Sequence, residues 1–216
     1  IRDSLGEGGA CTLTLCYLSG MVKMERVSDY VLRPLAQDEA LARCGTPRQA
    51  MEEMMGGALY NLSAAERTTL DEAAFDLVAG WCLLFFPGES AVLSLFVGTE
   101  EKRSISSPSN ETVLKGSRDA FVESLRTNTS IVRRHLKAPE LRIREQVVGR
   151  QSVTSVDILY IEGLTNPHLV EQVAAQLADI DIDAVLATGN IEEYIVPAAR
   201  TAFPLVQYTE RSDRFC

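Results

Sequence analysis

The chain has 216 residues, of which 46% are hydrophobic and 24% are charged, a composition typical of a folded globular protein. Its net charge of −9 argues against a general nucleic-acid-binding protein, because neutralising phosphates requires clustered lysine and arginine. The longest apolar run, residues 77–86, has ten residues, whereas a membrane-spanning helix needs about 20. We therefore predict no membrane-spanning segment. Because the sequence starts without a leader pattern, we expect a fragment of a longer protein.

The cysteines form no recognisable motif. They are scattered and include no pair with CxxC spacing, so we predict neither a disulfide framework nor a zinc site. We interpret them as free thiols of a reducing compartment, and we predict no metal ion and no cofactor. The five cysteines are Cys11, Cys16, Cys44, Cys82 and Cys216.

The first hundred residues alternate between strand and helix patterns. Thr46 followed by Pro47 is typical of a helix start, because threonine caps the first amides and proline fits the first turn. Residues 63–66 have the capping-box pattern, and Pro87-Gly88 is typical of a tight turn. In chain order we predict a strand over 12–18, a turn at Ser19-Gly20, a helix over 23–33 limited by Pro34, a helix from Pro47 to Gly56-Gly57, a helix over 70–78, and a hairpin of 81–86 with 91–97.

The second half follows a polar stretch, residues 99–117, which has little apolar periodicity and is predicted to be a linker. From Arg118 to Leu136 the apolar residues fall on one helical stripe, which predicts the longest helix of the chain. The remaining predicted elements are strands over 141–147 and 153–161 after Pro139, a helix from Asn166-Pro167 to Ala178, an apolar run at 185–187, a brief helix capped by Asn190, and a final strand near 205–208.

These elements predict an α/β protein. A strand, a tight turn and a helix recur at an offset of 143 residues, with Tyr17 and Gly20 matching Tyr160 and Gly163. A strand that runs directly into a helix typically begins an α/β layer, although chance similarity between two such units is the alternative explanation. We predict two small α/β subdomains joined by a linker, each with a mixed sheet covered by helices. They comprise residues 1–105 and residues 106–216, the second opening with the long helix.

Residues 115–150 form a basic stretch in an acidic chain, with nine basic and four acidic side chains. Such asymmetry indicates an electrostatically distinct face. One interpretation is a solvated helix and hairpin. The other is a surface that binds an acidic partner domain or anionic lipid.

No motif of the sequence indicates catalysis. The two histidines, His135 and His168, lie near the ends of predicted helices, where a capping or surface role explains them. Residues 6–9 are glycine-rich but precede a strand, whereas a phosphate-binding loop follows a strand and opens a helix. We therefore predict no catalytic residue and a protein that is not an enzyme. The competing class is an α/β enzyme, which a deep pocket holding a group with a shifted pKa would support.

The segment from Glu111 to Arg134 has a more specific pattern. A glutamate precedes a basic-glycine pair, then come an aromatic residue and a glutamate, an asparagine, and a basic cluster. Further motifs follow in order: Leu141-Arg142, Gly149-Arg150, residues 160–163, Asn166-Pro167, residues 180–183 and residues 208–211. Together they resemble the GerA family of spore germination proteins, which the first hundred residues resemble only in their order of strand, turn and helix.

The sequence departs from the family pattern at four positions. Lys115 stands where arginine is usual, and Ala120 stands where glycine is common. His135 follows the two arginines, and Ser212 replaces the proline that normally follows the Thr-Glu-Arg motif. The last change removes a rigid turn from the tail of the domain.

The resemblance implies the soluble N-terminal domain of a germination membrane protein, either a germinant receptor A subunit or a close paralogue. It implies a place on the cytoplasmic face of the spore inner membrane, with membrane-spanning helices beyond residue 216. Its implied partners are other receptor subunits, with homo-oligomerisation through the full-length protein. The family responds to small nutrients and triggers ion release, and its fold is expected to resemble solute-binding domains.

The candidate site residues are charged or amide side chains in these motifs. Buried members would need partners to offset their desolvation. We predict salt bridges that hold the two subdomains together, with a small-ligand cleft and a subunit interface as alternatives. The competing function is a module that binds an amino acid or a sugar. The residues are Glu111, Arg118, Glu123, Asn128, Arg133, Arg134, Glu162, Glu210 and Arg211.

Overall fold

A computed structural model describes residues 2–5, 11–59, 63–98, 119–185, 188–196 and 205–216. The chain consists of two compact units. Unit 1 is built from residues 1–104 with 137–139, and unit 2 from residues 105–136 with 140–216. The predicted linker over 99–117 and the glycine-rich residues 6–9 lie outside the described residues. The predicted boundary at residue 105 lies there too and stays a prediction.

Unit 1 contains a five-stranded antiparallel sheet. Its strands are β1 (Arg2–Leu5), β2 (Cys11–Tyr17), β3 (Ala64–Arg67), β4 (Trp81–Phe85) and β5 (Val92–Phe96). They take the order β1-β2-β4-β5-β3 in the sheet. The predicted first strand and the predicted hairpin are confirmed. The hairpin turn contains Gly88 at a φ of +83°, a left-handed conformation that glycine adopts without steric cost.

Short helices cover one face of this sheet. They are α1 (Met24–Val27), α2 (Arg33–Gln37), α3 (Glu39–Ala42) and α4 (Pro47–Glu53), with π-helical turns at Ser28–Leu32 and Met54–Ala58. The helix predicted to end near Arg33 continues past Pro34. The preceding turn is widened, with the Arg33 amide donating to the Ser28 carbonyl, and such a turn accommodates the proline ring and its missing amide. Buried side chains including Leu15, Val31, Met51 and Leu84 form the core beneath these helices.

The other face of the sheet is covered by α5 (Leu70–Val78), where a helix was predicted. The predicted start signal at Ser63 was wrong: residues 64–67 form β3, which pairs with β5. The helix is capped instead by Thr69, whose hydroxyl accepts a hydrogen bond from the Glu72 amide at 3.3 Å. Asp76 of α5 is buried, and Arg67 of β3 donates to it at 2.7 and 3.3 Å. This ion pair ties the edge strand to the helix.

Unit 2 is built around an antiparallel hairpin. Its elements are α6 (Leu125–His135), β6 (Leu141–Val148), β7 (Thr154–Ile161), α7 (Pro167–Ala178), α8 (Thr188–Ile195) and α9 (Ser212–Phe215). The face of the hairpin that carries Val148, Val156 and Ile158 packs against α7 and α8 in a small apolar core. The opposite face, with Glu145 and Asp157, lies beside α6. The predicted hairpin strands and the helix from Pro167 are confirmed.

Two details of α6 differ from the prediction. The helix begins at Leu125, because Ser124 caps it and residues 119–122 are extended. Arg118, where the helix was predicted to begin, lies outside the described residues. With 11 residues against 12 for α7, α6 is not the longest helix of the described part of the chain.

The tail also differs from the prediction. Asn190 lies within α8 instead of capping it, and of the apolar run at 185–187 the structure describes only Val185, which is buried. Residues 205–210 form no strand. An isolated antiparallel bridge joins Ala120 to Arg211 instead.

The α/β class is confirmed, although the named strands of the described residues pair antiparallel where mixed sheets were predicted. The sequence repeat has a structural counterpart, because β2 and β7 each lead into a helix through a glycine with positive φ, Gly20 and Gly163.

Within the described ranges, the helices are all too short or too polar to cross a membrane. Cys16, Cys44, Cys82 and Cys216 are free thiols, and burial raises the pKa of Cys82 to about 12.

Candidate functional site

Two segments of unit 2 lie side by side although they are far apart in the sequence. They are the lead-in to α6, residues 119–124, and the tail, residues 205–216, and we call their contact the lead-in–tail latch. The Phe121 amide donates to the Glu210 carbonyl at 2.7 Å, and the Ser212 amide donates to the Asp119 carbonyl at 3.3 Å. These two bonds flank the bridge between Ala120 and Arg211. The latch is therefore a short antiparallel ladder.

Asn128 attaches the lead-in to α6. Its side-chain oxygen accepts from the Val122 amide at 2.8 Å, and its side-chain nitrogen donates to the Val122 carbonyl at 2.7 Å. One amide side chain thus pairs with both backbone groups of Val122, as a neighbouring strand would. The asparagine that interrupts the apolar stripe of the helix consequently holds the lead-in in its extended conformation.

Side chains add to the latch on the tail. The rings of Phe121 and Phe215 meet edge to face with centroids 5.5 Å apart, a favourable arrangement for an aromatic pair. Arg211 donates two hydrogen bonds to Asp213, at 3.0 and 2.5 Å, and these bonds lower the pKa of Asp213. The arginine side chain is only 12% exposed. It therefore fixes the start of α9.

The third part of the latch is a contact between Ser212, His135 and Asp119. Ser212 is fully buried, and its hydroxyl donates to the Asp119 carbonyl at 3.0 Å. The Nε2 atom of His135, the last residue of α6, lies 3.2 Å from the same hydroxyl and 3.4 Å from the Asp119 carboxylate. The three residues connect α6, the lead-in and α9.

The same three residue types form the catalytic triad of serine hydrolases, but their geometry here is different. In a triad, the serine and the aspartate contact opposite nitrogens of the histidine ring, so that the ring can accept a proton on one side while it is oriented from the other. Here both oxygens approach the same nitrogen, and the serine hydroxyl is buried. The arrangement can hold segments together, but it does not activate a nucleophile.

The structure brings three of the predicted site residues together. Glu210 and Arg211 belong to the latch, and Asn128 of α6 holds the lead-in segment that pairs with them. Glu123 is exposed at the end of the lead-in, and Arg134 is exposed on α6. Glu111 and Arg118 lie outside the described residues. The predicted role of these residues between the subdomains stays a prediction.

The other predicted residues lie near the hairpin. Glu162 forms an ion pair with Arg142. Arg133 is half-buried, and both its burial and the nearby charge of Arg142 lower its pKa. Two more arginines of the basic stretch form ion pairs within unit 2: Arg144 with Glu171 at 2.8 Å, and Arg150 with Asp181 at 2.6 Å. Three of the nine basic residues of the stretch are therefore neutralised by acidic side chains of the same unit.

The turn between β6 and β7 explains two further motifs, which contact each other. The amides of Arg150 and Gln151 donate to the carbonyls of Ile182 and Asp183 at 2.9 and 2.8 Å. Ser152 accepts a hydrogen bond from the Val185 amide at 3.1 Å. The Gly149-Arg150 motif thus holds the segment 180–183, which is itself a family motif.

Three latch residues were not selected from the sequence: Asp119, His135 and Ser212. A signal for them existed, because Ala120, His135 and Ser212 are positions where the chain departs from the family pattern, and all three lie in the latch.

Among the residues that the structure describes, no group of three or more histidine, cysteine, aspartate or glutamate side chains is arranged to hold a metal ion.

A groove of about 490 Å³ lies between the start of α6 and the hairpin. Its floor carries Glu145 and Asp157, which are directly opposite each other on β6 and β7. Burial and the nearby charge of Glu145 raise the pKa of Asp157. The residues that line the groove are Leu125, Arg126, Thr129, Ile143, Glu145, Ser155 and Asp157.

We expect Asp157→Asn to stabilise unit 2 at neutral pH. The folded state raises the pKa of Asp157 above its unfolded value, so ionising this carboxyl costs stability as the pH rises. Removing a like-charged cross-strand pair should gain about 0.5 kcal/mol, or roughly 2–4 °C in melting temperature. The gain, measured by far-UV circular dichroism, should be largest near pH 7 and vanish at about pH 3.

The matched control is Glu145→Gln, which removes the same repulsion from the other strand. It should give a similar gain, and the double variant should gain little more. Gains that add fully, or that persist unchanged in acid, would contradict this account of the pair.

The comparisons with known proteins cover nearly the whole chain. The family model described as Bacillus/Clostridium GerA spore germination protein matches residues 4–216. The chain is 35% identical to the uncharacterized membrane protein YfkQ of Bacillus subtilis, over 92% of this chain and 38% of that protein. It is 32% identical to spore germination protein KA of the same species, over 99% of this chain and 39% of that protein. The chain thus spans about two fifths of the length of these relatives.

A solved structure has the same fold. It is the crystal structure of the N-terminal domain of the A subunit of the Bacillus megaterium spore germinant receptor GerK3. The TM-score is 0.69 at 27% sequence identity, with 100% of this chain and 77% of that domain covered.

Proposed function

Because the chain belongs to the GerA family of spore germination proteins, we propose that it is the N-terminal domain of a germinant receptor A subunit or a close paralogue. In this proposal the domain lies on the cytoplasmic face of the spore inner membrane and assembles with other receptor subunits, and the full-length protein forms oligomers. It acts in nutrient sensing without catalysis and transmits a conformational signal that leads to ion release. We expect the membrane-spanning part of the full-length protein to follow the tail.

The observation that carries the proposal is the lead-in–tail latch. It joins α6, which bears the basic signature, to the tail through backbone, aromatic and side-chain contacts. A movement of α6 that changes the lead-in would reach the tail directly. Two alternative arrangements of such a ladder, paired and unpaired, would provide the bistable element that a switch requires.

A reversible cross-link tests this proposal. Ala120 and Arg211 are bridge partners, and the separation of paired residues in antiparallel strands, about 4.5–5.5 Å between Cα atoms, suits a disulfide. Spores carrying the full-length protein with Ala120→Cys and Arg211→Cys should germinate at least tenfold more slowly in nutrient once the disulfide is oxidised. Reduction should restore the response, which is measured as the loss of optical density.

Two controls separate signalling from damage. Arg211→Cys alone removes the ion pair with Asp213 but cannot form the cross-link. The pair Arg142→Cys and Tyr160→Cys places a disulfide across β6 and β7, outside the latch. Normal germination of spores with a fully oxidised latch would refute transmission through the latch, although family membership would stand.

The competing function, binding of a nutrient by this domain, is tested separately. Isothermal calorimetry of the 216-residue chain against a panel of amino acids and sugars should show no saturable heat if the domain acts through assembly. Saturation by one nutrient at micromolar to millimolar concentration would instead identify a binding module.

A further inference from the structure

The groove between α6 and the hairpin contains two carboxylates that no described residue compensates. Among the described residues, the carboxylates of Glu145 and Asp157 have no ion-pair or hydrogen-bond partner, although the two residues face each other across β6 and β7. Like charges placed directly opposite each other destabilise a strand pair. The other charged residue of the lining is Arg126 on the opposite wall, so the groove holds two carboxylates and one guanidinium. A cationic group placed between the two carboxylates would remove their repulsion.

Two exposed valines lie near the turn of the hairpin, beside the residues that line the groove. Val147, which pairs with Ser155 on the same face of the hairpin, is 56% exposed, and Val153, just before β7, is 63% exposed. Val153 has a φ of +46°, the one positive φ of a non-glycine residue in the described part of the chain. This conformation is costly for a β-branched side chain. Asparagine or glycine would adopt it more easily, so the stability of the turn does not explain a valine there.

We propose that this groove binds a segment of a partner protein in which a lysine or arginine side chain is flanked by aliphatic residues. The basic group lies between Glu145 and Asp157, and the aliphatic residues contact Val147, Val153 and Leu125. A free amine or a single metal ion would use the carboxylates but not the valines. The inference goes beyond the proposed function, because it concerns a surface other than the latch.

The test selects binders from a random dodecapeptide display library on the 216-residue chain. Peptides that also bind the Glu145→Gln and Asp157→Asn double variant are removed by counter-selection. We expect enriched peptides to contain one lysine or arginine with aliphatic neighbours. Fluorescence titration of a synthetic copy should give an affinity at least tenfold weaker for the double variant. That variant preserves the shape of the groove and is expected to be at least as stable as the original chain.

Two further arms make the result specific. Val153→Asn, which suits the left-handed backbone, should weaken peptide binding about threefold by removing the apolar contact. A peptide with citrulline or norleucine in place of its basic residue should not bind. The chain with an oxidised cross-link between positions 120 and 211 should bind the peptide normally, which keeps this outcome independent of the latch.

Three results would overturn the proposal. The first is that no peptide is enriched on the original chain after counter-selection. The second is that a selected peptide binds the double variant as tightly as it binds the original chain. The third is that butylammonium ion binds the original chain as tightly as the peptide does. The last result would identify a small-cation pocket in place of a protein-binding surface.

Discussion

Replacing Gly149 with alanine is expected to lower the free energy of unfolding of unit 2 by about 2–3 kcal/mol. Gly149 has a φ of +86°, and a Cβ atom added to it would lie 2.3 Å from the hydroxyl oxygen of Ser152. Ser152 would have to rotate away and give up its hydrogen bond from the Val185 amide. The substitution therefore combines backbone strain with the release of the segment 180–185 from the hairpin turn.

The matched control is Gly163→Ala in the same unit. Gly163 has a φ of +81° but no heavy atom within 4 Å of the added Cβ, so only the backbone cost of about 1 kcal/mol should remain. In a Ser152→Ala background, Gly149→Ala should approach this smaller cost. The measurement is hydrogen exchange of the β6 and β7 amides, because the single tryptophan, Trp81, reports on unit 1. Equal losses at the two glycines would contradict the steric argument.

Local signals predicted local structure well. Thr46-Pro47, Pro87-Gly88 and Asn166-Pro167 each mark an element that the structure contains, because caps and turns depend on residues next to one another. The capping-box pattern at Ser63 gave a wrong prediction, because the residues after it take their structure from a distant part of the chain. Residues 64–67 form a strand through pairing with β5, almost thirty residues later in the chain, and pairing at that distance overrides a local preference.

The candidate site shows the same limit. Asn128, Glu210 and Arg211 were selected through the family resemblance; Glu210 and Arg211 lie in the latch, and Asn128 holds its lead-in. Asp119 and Ser212 were missed, because a contact between segments 93 residues apart has no local pattern. The buried hydroxyl of Ser212 bonds to the lead-in, so the residue that replaces the family proline fixes the tail by hydrogen bonds instead of by ring geometry.

Replacing Asn128 with leucine is expected to destabilise the lead-in by about 2 kcal/mol, because both backbone groups of Val122 lose their partner. The loss should appear as faster hydrogen exchange at the Val122 and Phe121 amides, while β6 and β7 remain protected. Since Phe121 also donates to the tail, the exchange at Phe121 reports how far the damage spreads into the latch. Protection that is unchanged at both amides would show that Asn128 does not support the lead-in.

Asn128→Asp distinguishes the hydrogen-bond geometry from simple packing. The introduced carboxylate, when ionised, would accept from the Val122 amide, but it would face the Val122 carbonyl without a proton to donate. At about pH 7 the variant should therefore be as weak as the leucine variant. A protonated carboxyl has one donor and one acceptor, as the amide has. The folded state should consequently raise the pKa of the introduced carboxyl above its unfolded value of about 3.9.

The pH dependence of the two variants then separates the explanations. Stability of the Asn128→Asp variant should be recovered as the pH falls and be lost as the pH rises through the raised pKa. The leucine variant lacks a titrating group at this position, so its deficit relative to the original chain should stay constant over the same range. A parallel pH response of the two variants would show that the bonds between Asn128 and Val122 do not hold the lead-in in place.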